Sequence, residues 1–510
     1  MITPIKTCAL NGLDGTLVTI EATIANGMPS FDIVGLPDAS VKESKERIKA
    51  SFKSSNSDLY RKKIVVNLAP ASLKKEGSLF DLPIALSIVG CEKEFNKQLT
   101  ETSIFIGEMA LTGEIRGVSG VLPIVISAFE QGIENVFLPP ANAKEAAIVE
   151  GINIYPVKHY TDAVRHLCGE EKIEPYISSE STHDSPENLY NIDFADVKGQ
   201  EDTKRALLVA AAGNHNMIMI GAPGSGKTMI AKRIPTILPP LSFEESLEVT
   251  KIYSVAEALS DENPLITERP FRQIHHTVST VSITGGGKNP KPGELSLSHR
   301  GILFMDELPE FRRDALETLR QPLEDGHITV TRVSGSATYP CKVMIVASMN
   351  PCPCGFYSSP VKQCTCTSTQ ISRYLKKISG PLLDRIDIHV DVPSVEYDDL
   401  SKSKSKTTSA VLKAQVLKAR EIQKKRYKDY GFLTNSEIPS SLIDLFCELG
   451  EEEKALMKSA YESLGLSARA NSRILKVART IADLDESENI KCEHLAEAIQ
   501  YRSLDKKYWN

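Results

Sequence analysis

Gly221-Ala222-Pro223-Gly224-Ser225-Gly226-Lys227-Thr228 matches G-x-x-x-x-G-K-[ST]. It follows the apolar stretch Met217–Ile220, the strand such a loop requires, and leads into a helix-compatible run over 229–238. Its glycines let successive backbone N–H groups turn onto phosphate oxygens, and the following helix N-terminus adds its dipole. Lys227 then supplies a point charge to the β- and γ-phosphates, and the Thr228 hydroxyl is placed to bind Mg²⁺. This strand–loop–helix unit predicts a P-loop α/β core with ATP and Mg²⁺ as ligands.

A phosphate cradle alone does not hydrolyse anything. Residues 301–307, Gly-Ile-Leu-Phe-Met-Asp-Glu, read as an apolar strand ending in two carboxylates. Asp306 would complete the Mg²⁺ shell, and Glu307 would orient and deprotonate the attacking water. The plain alternative is a solvated strand end. A third strand over 343–347 leads to Asn350, whose amide can hydrogen-bond the γ-phosphate and the lytic water; otherwise it is a turn residue before Pro351. Arg385 precedes a fourth strand and is either a finger for a neighbour's γ-phosphate or a partner of Asp384 or Asp387. Near the end, Ile474, Val477, Ala478, Ile481 and Leu484 form one apolar helical stripe, with Ser467 as N-cap. Arg469, Arg473 and Lys476 lie opposite, either as a solvated face or as a phosphate sensor.

The order GAPGSGKT, GILFMDELPEF, ASMNPCPCG, GPLLDRIDIHV, LSARANSRILKVARTIADL resembles the ComM/YifB family of magnesium-chelatase-like AAA+ ATPases over almost the whole chain. The resemblance implies a nucleotide-dependent hexameric ring acting on DNA as a helicase in branch migration. It makes Asn350 sensor 1, Arg385 the arginine finger and Arg469 the preferred sensor 2, with Arg473 one turn on as the alternative. It also implies two insertions pointing into a pore. One spans 271–299 and includes Ser282-Ile283-Thr284-Gly285-Gly286-Gly287-Lys288; the other is a hairpin over 328–339 carrying Arg332. Six copies of Lys288 and Arg332 would concentrate positive charge on a DNA strand. His275-His276 falls in the first insertion and is expected to pack rather than hold metal.

Cys352-Pro353-Cys354 and Cys364-Thr365-Cys366 bring four thiols together, which suits one structural Zn²⁺; reduced thiols or a redox pair are the alternatives. The other six cysteines are scattered.

The first 165 residues resemble the S5 domain 2-like α+β fold of Lon-type proteases and of RadA. The positions of the Lon serine and lysine align with Leu79 and Leu122, and Ser78 lies one residue off with no expected base. No protease substrate is therefore expected. The predicted organisation is an S5-like domain over 1–170, a linker over 171–190 and an AAA+ core over 191–396 containing the cysteine loop 352–366. A second linker over 397–410 leads to an all-α lid over 411–510.

Composition sets the outer limits. The 510 residues suffice for about three domains at roughly 150 each, with 41% hydrophobic and 25% charged residues. No apolar run approaches the ~20 residues that span a bilayer, and the start, Met1-Ile2-Thr3-Pro4-Ile5-Lys6, has no leader pattern. A cytoplasmic protein with no membrane partner is expected. The net charge of −6 restricts nucleic-acid contact to local basic patches. A polypeptide-remodelling ATPase is the alternative to a DNA motor, and a chelatase subunit is disfavoured because those ATPases lack the amino-terminal domain.

Overall fold

The computed structural model describes residues 3–177, 192–260, 263–287, 290–332, 335–357, 362–394 and 407–509, except the side chains at 332, 505 and 506. The chain divides into two compact units. One comprises 1–185, 246–266 and 331–339; the other comprises 186–245, 267–330 and 340–510. The expected core and lid thus fall into one unit, because the helices after 408 share a hydrophobic core with the sheet. Val416, Ile474, Val477 and Ile481 belong to the same buried cluster as Met217, Phe304 and Val346. The two expected linkers lie largely outside the described residues.

In the amino-terminal unit, strands β1 (Ile5–Asn11), β2 (Asp14–Ala25), β3 (Ser30–Val34) and β4 (Lys63–Ala69) form a sheet in the order β1-β2-β4-β3. Only the β3–β4 pair is parallel. Val18, Ile20 and Ala22 on β2 point inward, as their alternation predicts. Between β3 and β4 runs α1 (Ala39–Ser54), and α2 (Asp81–Val89) is buried at all nine positions. A second, parallel sheet joins β5 (Ser103–Phe105), β6 (Asn135–Leu138) and β7 (Asn153–Pro156), with α3 (Val121–Glu130) and α4 (Tyr160–Leu167) beside it in sequence. Leu79 and Leu122 are both buried, Leu122 with no exposed surface. Ser78, for which no base is expected, donates a short hydrogen bond to the Glu108 carboxylate.

In the second unit, α5 (Glu201–Gly213) precedes β8 (Met217–Ile220), the phosphate loop and α6 (Lys227–Ala231). Then come β9 (Phe271–Ile274), β10 (Ile302–Met305) and α7 (Arg313–Glu317); the ribbon β11 (His327–Arg332) and β12 (Gly335–Pro340) follows in sequence, with its residues 331–339 counted in the amino-terminal unit. After these lie β13 (Met344–Met349), α8 (Ser368–Leu375) and β14 (Ile388–Asp391). Five of these strands form one all-parallel sheet in the order β9-β10-β13-β8-β14. Strands buried on both faces read as unbroken apolar runs, which is why Met-Ile-Met-Ile and Ile-Leu-Phe-Met are recognisable. The helix expected over 229–238 is shorter: α6 ends at Ala231 and a 3₁₀ turn, Ile234–Ile237, takes over around Pro235. Proline removes a backbone donor and clashes with the preceding turn.

Helices α9 (Ser409–Arg426), α10 (Glu451–Leu464), α11 (Ala468–Leu484) and α12 (Cys492–Tyr508) complete the unit. Ser467 caps α11 by accepting from Ala470 N, as its sequence position predicts. No helix among the described residues is long and apolar enough to cross a membrane.

Candidate active site

The carboxyl ends of β8, β10 and β13 lie side by side, because Ile220 pairs with Met349 and Met305 with Ala347. The loops after them, carrying Gly221–Thr228, Asp306-Glu307 and Asn350, therefore converge. In open α/β sheets this edge is where ligands bind. Together they line a cleft of about 380 Å³. Gly224 and Gly226 both take left-handed φ, +80° and +86°, which the turn of the loop requires.

Lys227 is only 9% exposed. Its ammonium donates to the Gly221 and Ala222 carbonyls at 2.8 and 3.0 Å and lies 3.3 Å from Asn350 Oδ1. Burial lowers its pKa, and the Asp306 and Glu307 carboxylates oppose that shift. Lys227 and Asn350 thus reach the same point, where a γ-phosphate would lie. Thr228 Oγ1 donates to Asp306 Oδ2 at 2.8 Å, and Ser348 Oγ donates to Asp306 Oδ1. A hydroxyl and a carboxylate held together in this way are the hard oxygen donors that suit Mg²⁺. Bound there, the ion would neutralise charge developing on the β- and γ-phosphates.

Glu307 takes a left-handed backbone conformation, φ 55° and ψ 50°, at the sharp turn out of β10. Its N–H donates to Asp306 Oδ1 at 3.1 Å, so the two carboxylates diverge. One holds the hydroxyl of Thr228; the other, about half exposed, faces the cleft where a water would be activated.

Arg385 lies elsewhere. Ile388 at the start of β14 pairs with Met217, whereas Asp391 at its end pairs with Ile220 beside the phosphate loop. Arg385 precedes that start, so the length of a four-residue strand, about 13 Å, separates it from its own phosphate loop. It is 5% exposed and pairs with Glu324 at 2.7 Å, rather than with Asp384 or Asp387. Arg469 shares that carboxylate at 3.3 Å and is 61% exposed. Arg473 is tied to Asp387 and donates to the Arg385 carbonyl at 3.2 Å. Lys476 donates to Ser436 O at 3.0 Å, and burial lowers its pKa. The basic side of α11 is therefore largely engaged inside the unit rather than solvated. Arg469 and the buried Arg385 converge on Glu324, away from the phosphate loop of their own chain.

The four loop cysteines have sulfurs all within 4.8 Å of one another. Three of the separations are 3.3, 3.6 and 3.7 Å. A tetrahedral Zn²⁺ with bonds near 2.3 Å needs about 3.8 Å between sulfurs, so the set fits. Backbone N–H groups of Phe356 and Thr365 lower the pKa of the Cys354 thiol, whereas the thiols of Cys364 and Cys366 beside it are pushed up, so one thiolate at most is favoured in this cluster as it stands. Lys288 lies outside the described residues, as does the Arg332 side chain. The hairpin bearing Arg332 is present as β11 and β12.

Three family models cover the chain: "Magnesium chelatase, subunit ChlI" over 193–400, "Subunit ChlI of Mg-chelatase" over 20–142, and "Magnesium chelatase, subunit ChlI C-terminal" over 406–502. Competence protein ComM of Haemophilus influenzae is 40% identical, across 97% of this chain and 96% of its own length. The uncharacterized protein YifB of Escherichia coli is 39% identical across 98% and 97%. The chain belongs to the ComM/YifB family of magnesium-chelatase-like AAA+ proteins. The magnesium-chelatase 38 kDa subunit of Rhodobacter capsulatus is a more distant relative, 27% identical over 31% of this chain and 50% of its own.

Several groups at this AAA+ site carry no motif of their own. Gln200, in a left-handed turn before α5, donates to Ser225 O at 2.9 Å and to Pro393 O at 2.7 Å, tying the phosphate loop to the end of β14. His276 Nδ1 lies 3.5 Å from Glu307 Oε2, so the histidine expected only to pack stands against the second carboxylate of the cleft. Its ring also lies edge-on to Phe311. Ser348, two residues before Asn350, reads in the sequence as an ordinary strand residue, yet it holds the second oxygen of Asp306.

The cysteine loop touches the phosphate loop directly. A Cβ at Gly355, whose φ is +85°, would come within 2.4 Å of Pro223 Cδ. Gly355→Ala is expected to displace Pro223 at a cost of about 1–3 kcal/mol. At 1.4 kcal/mol per factor of ten, a cost of that size falling on the phosphate loop weakens ATP binding by about 5- to 140-fold. Titration of a fluorescent ATP analogue against both proteins measures this, with thermal melting as the control for an intact fold.

Proposed function

We propose that the protein is an ATP-hydrolysing ring motor, a homohexamer formed with nucleotide that acts on DNA as a helicase or branch-migration factor in recombination or transformation. The polarity of the parallel sheet carries this reading. Phosphate loop and Arg385 lie at opposite ends of the sheet, which supports a site completed by a neighbour's guanidinium once Arg385 leaves its pairing with Glu324. In each site Lys227 and the loop amides hold the triphosphate, Thr228 and Asp306 hold Mg²⁺, and Asn350 aligns the water that Glu307 deprotonates. The neighbour's Arg385 and Arg469 meet the charge that develops. That one full-length relative bears the name competence protein fits a role in transformation.

The decisive experiment is ATPase activity with and without forked DNA, on wild type and Glu307→Gln. Stimulation of the wild type by DNA is expected, with none in the variant. Stimulation by unfolded polypeptide in place of DNA would make this a protein-remodelling ATPase.

We further propose a structural Zn²⁺ on Cys352, Cys354, Cys364 and Cys366; four sulfurs leave no open catalytic position. Metal analysis is expected to find one zinc per chain in wild type and none in Cys352→Ser/Cys364→Ser. Zinc-free wild type overturns the assignment. The amino-terminal unit is read as a non-proteolytic S5 domain 2-like module, since buried Leu79 and Leu122 offer neither nucleophile nor base. Ten free thiols suit the reducing cytoplasm.

A further inference from the structure

A surface groove of about 820 Å³ lies outside the nucleotide cleft, between the start of α7 and the length of α8. Four cations line it: Arg313, Arg373, Lys376 and Lys377. Among the described residues no carboxylate does, although the chain as a whole carries −6. Lys377 alone of the three cations after α8's midpoint has an acidic partner, Glu310 at 3.0 Å. Arg373 and Lys376 have no ion-pair partner among the described residues. Three of the four follow one another at i, i+3 and i+4, where like charges repel across a helical turn. A capping box of Thr367 and Gln370 holds α8 in place, and exposed Ser368, Thr369 and Ser372 add hydroxyl donors along the same side.

The lining names its ligand by what it offers and what it lacks. Convergent guanidinium and ammonium groups with hydroxyls between them match a row of phosphate oxygens. The groove is open and its hydroxyl and cationic lining runs the eight-residue length of α8, about 12 Å, and past its end to Lys377, so it suits an extended polyanion better than a single enclosed phosphate. Phe311 is buried in its floor and offers no ring face for a base to stack on.

We propose that this groove is a sequence-independent contact for the phosphodiester backbone of a nucleic-acid strand, separate from the expected pore contacts at Lys288 and Arg332. It rests on the DNA-motor reading above and gives that motor a second grip outside the pore.

The test is binding of a fluorescent 30-nucleotide single strand and its duplex across a salt series. The full-length proteins compared are wild type and Arg313→Ala/Arg373→Ala/Lys376→Ala. Each phosphate that the variant no longer neutralises removes roughly 0.7–0.9 from the slope of log affinity against log salt, so that slope is expected to shrink by about 2 to 3. Affinity for a fluorescent ATP analogue should not change, because none of the three residues touches the nucleotide cleft. Equal DNA affinity and slope in both proteins overturns this inference while leaving the motor reading intact. If the wild type binds no DNA, the motor reading fails and the groove falls with it. Inorganic phosphate that binds wild type but not the variant, with DNA binding unchanged, makes the groove a small-anion site instead. Loss of nucleotide-dependent assembly in the variant makes it a subunit contact. Either result overturns the proposal.

Discussion

Replacing Glu307 by glutamine is expected to lower ATP turnover by about 10²–10⁴ while leaving ATP affinity unchanged. The side chain keeps its length and its place at the left-handed turn after β10, and Asp306 keeps its bonds to Thr228 and Ser348. Only the ability to take a proton from water is removed. Phosphate release and analogue titration, read side by side, separate the two effects. A glutamine variant that hydrolyses ATP at nearly the wild-type rate would take the base role away from Glu307. Loss of binding instead would mean that the carboxylate shapes the cleft rather than serving the chemistry.

Removing the Arg385 guanidinium by Arg385→Ala is expected to cost about 10³ or more in turnover, the range found for arginine fingers. Lysine should not rescue it, since a compact ammonium lacks the planar fork. The variant should also be slightly less stable, because the buried guanidinium donates to the Arg320 and Pro381 carbonyls. Glu324 would keep Arg469 as its partner. A mixing experiment isolates the catalytic part. Arg385→Ala supplies intact phosphate loops, and Lys227→Ala supplies intact fingers. Each is expected to be inactive alone, and activity should return when they are combined. Two inactive proteins that stay inactive together, though they co-assemble, would refute a site shared between chains.

The sequence made the nucleotide cleft legible because its parts are local. A buried parallel strand is a run of four apolar residues, and the chemistry sits in the next few positions. Met217–Ile220 with its loop and Ile302–Met305 with Asp306-Glu307 needed no knowledge of tertiary structure. What stayed hidden depends on contacts distant in sequence. His276 meets Glu307 only because β9 pairs with β10, and Gln200 meets Pro393 across almost the whole core. The helix α11 displayed its apolar stripe openly, but nothing in its own residues announced that Arg473 would be claimed by Asp387. Glu324, which holds the two arginines, stood in no motif. The division into units was equally opaque, since 246–266 and 331–339 leave one unit for the other and no composition shift marks their ends.

The separation of Arg385 from the phosphate loop of its own chain has a kinetic corollary. Nucleotide consumption per molecule should rise with total protein and level off once every chain has a neighbour, so a dilute pool would idle without any dedicated inhibitor. Encounter itself would act as the throttle, and diluting a working sample should silence it reversibly.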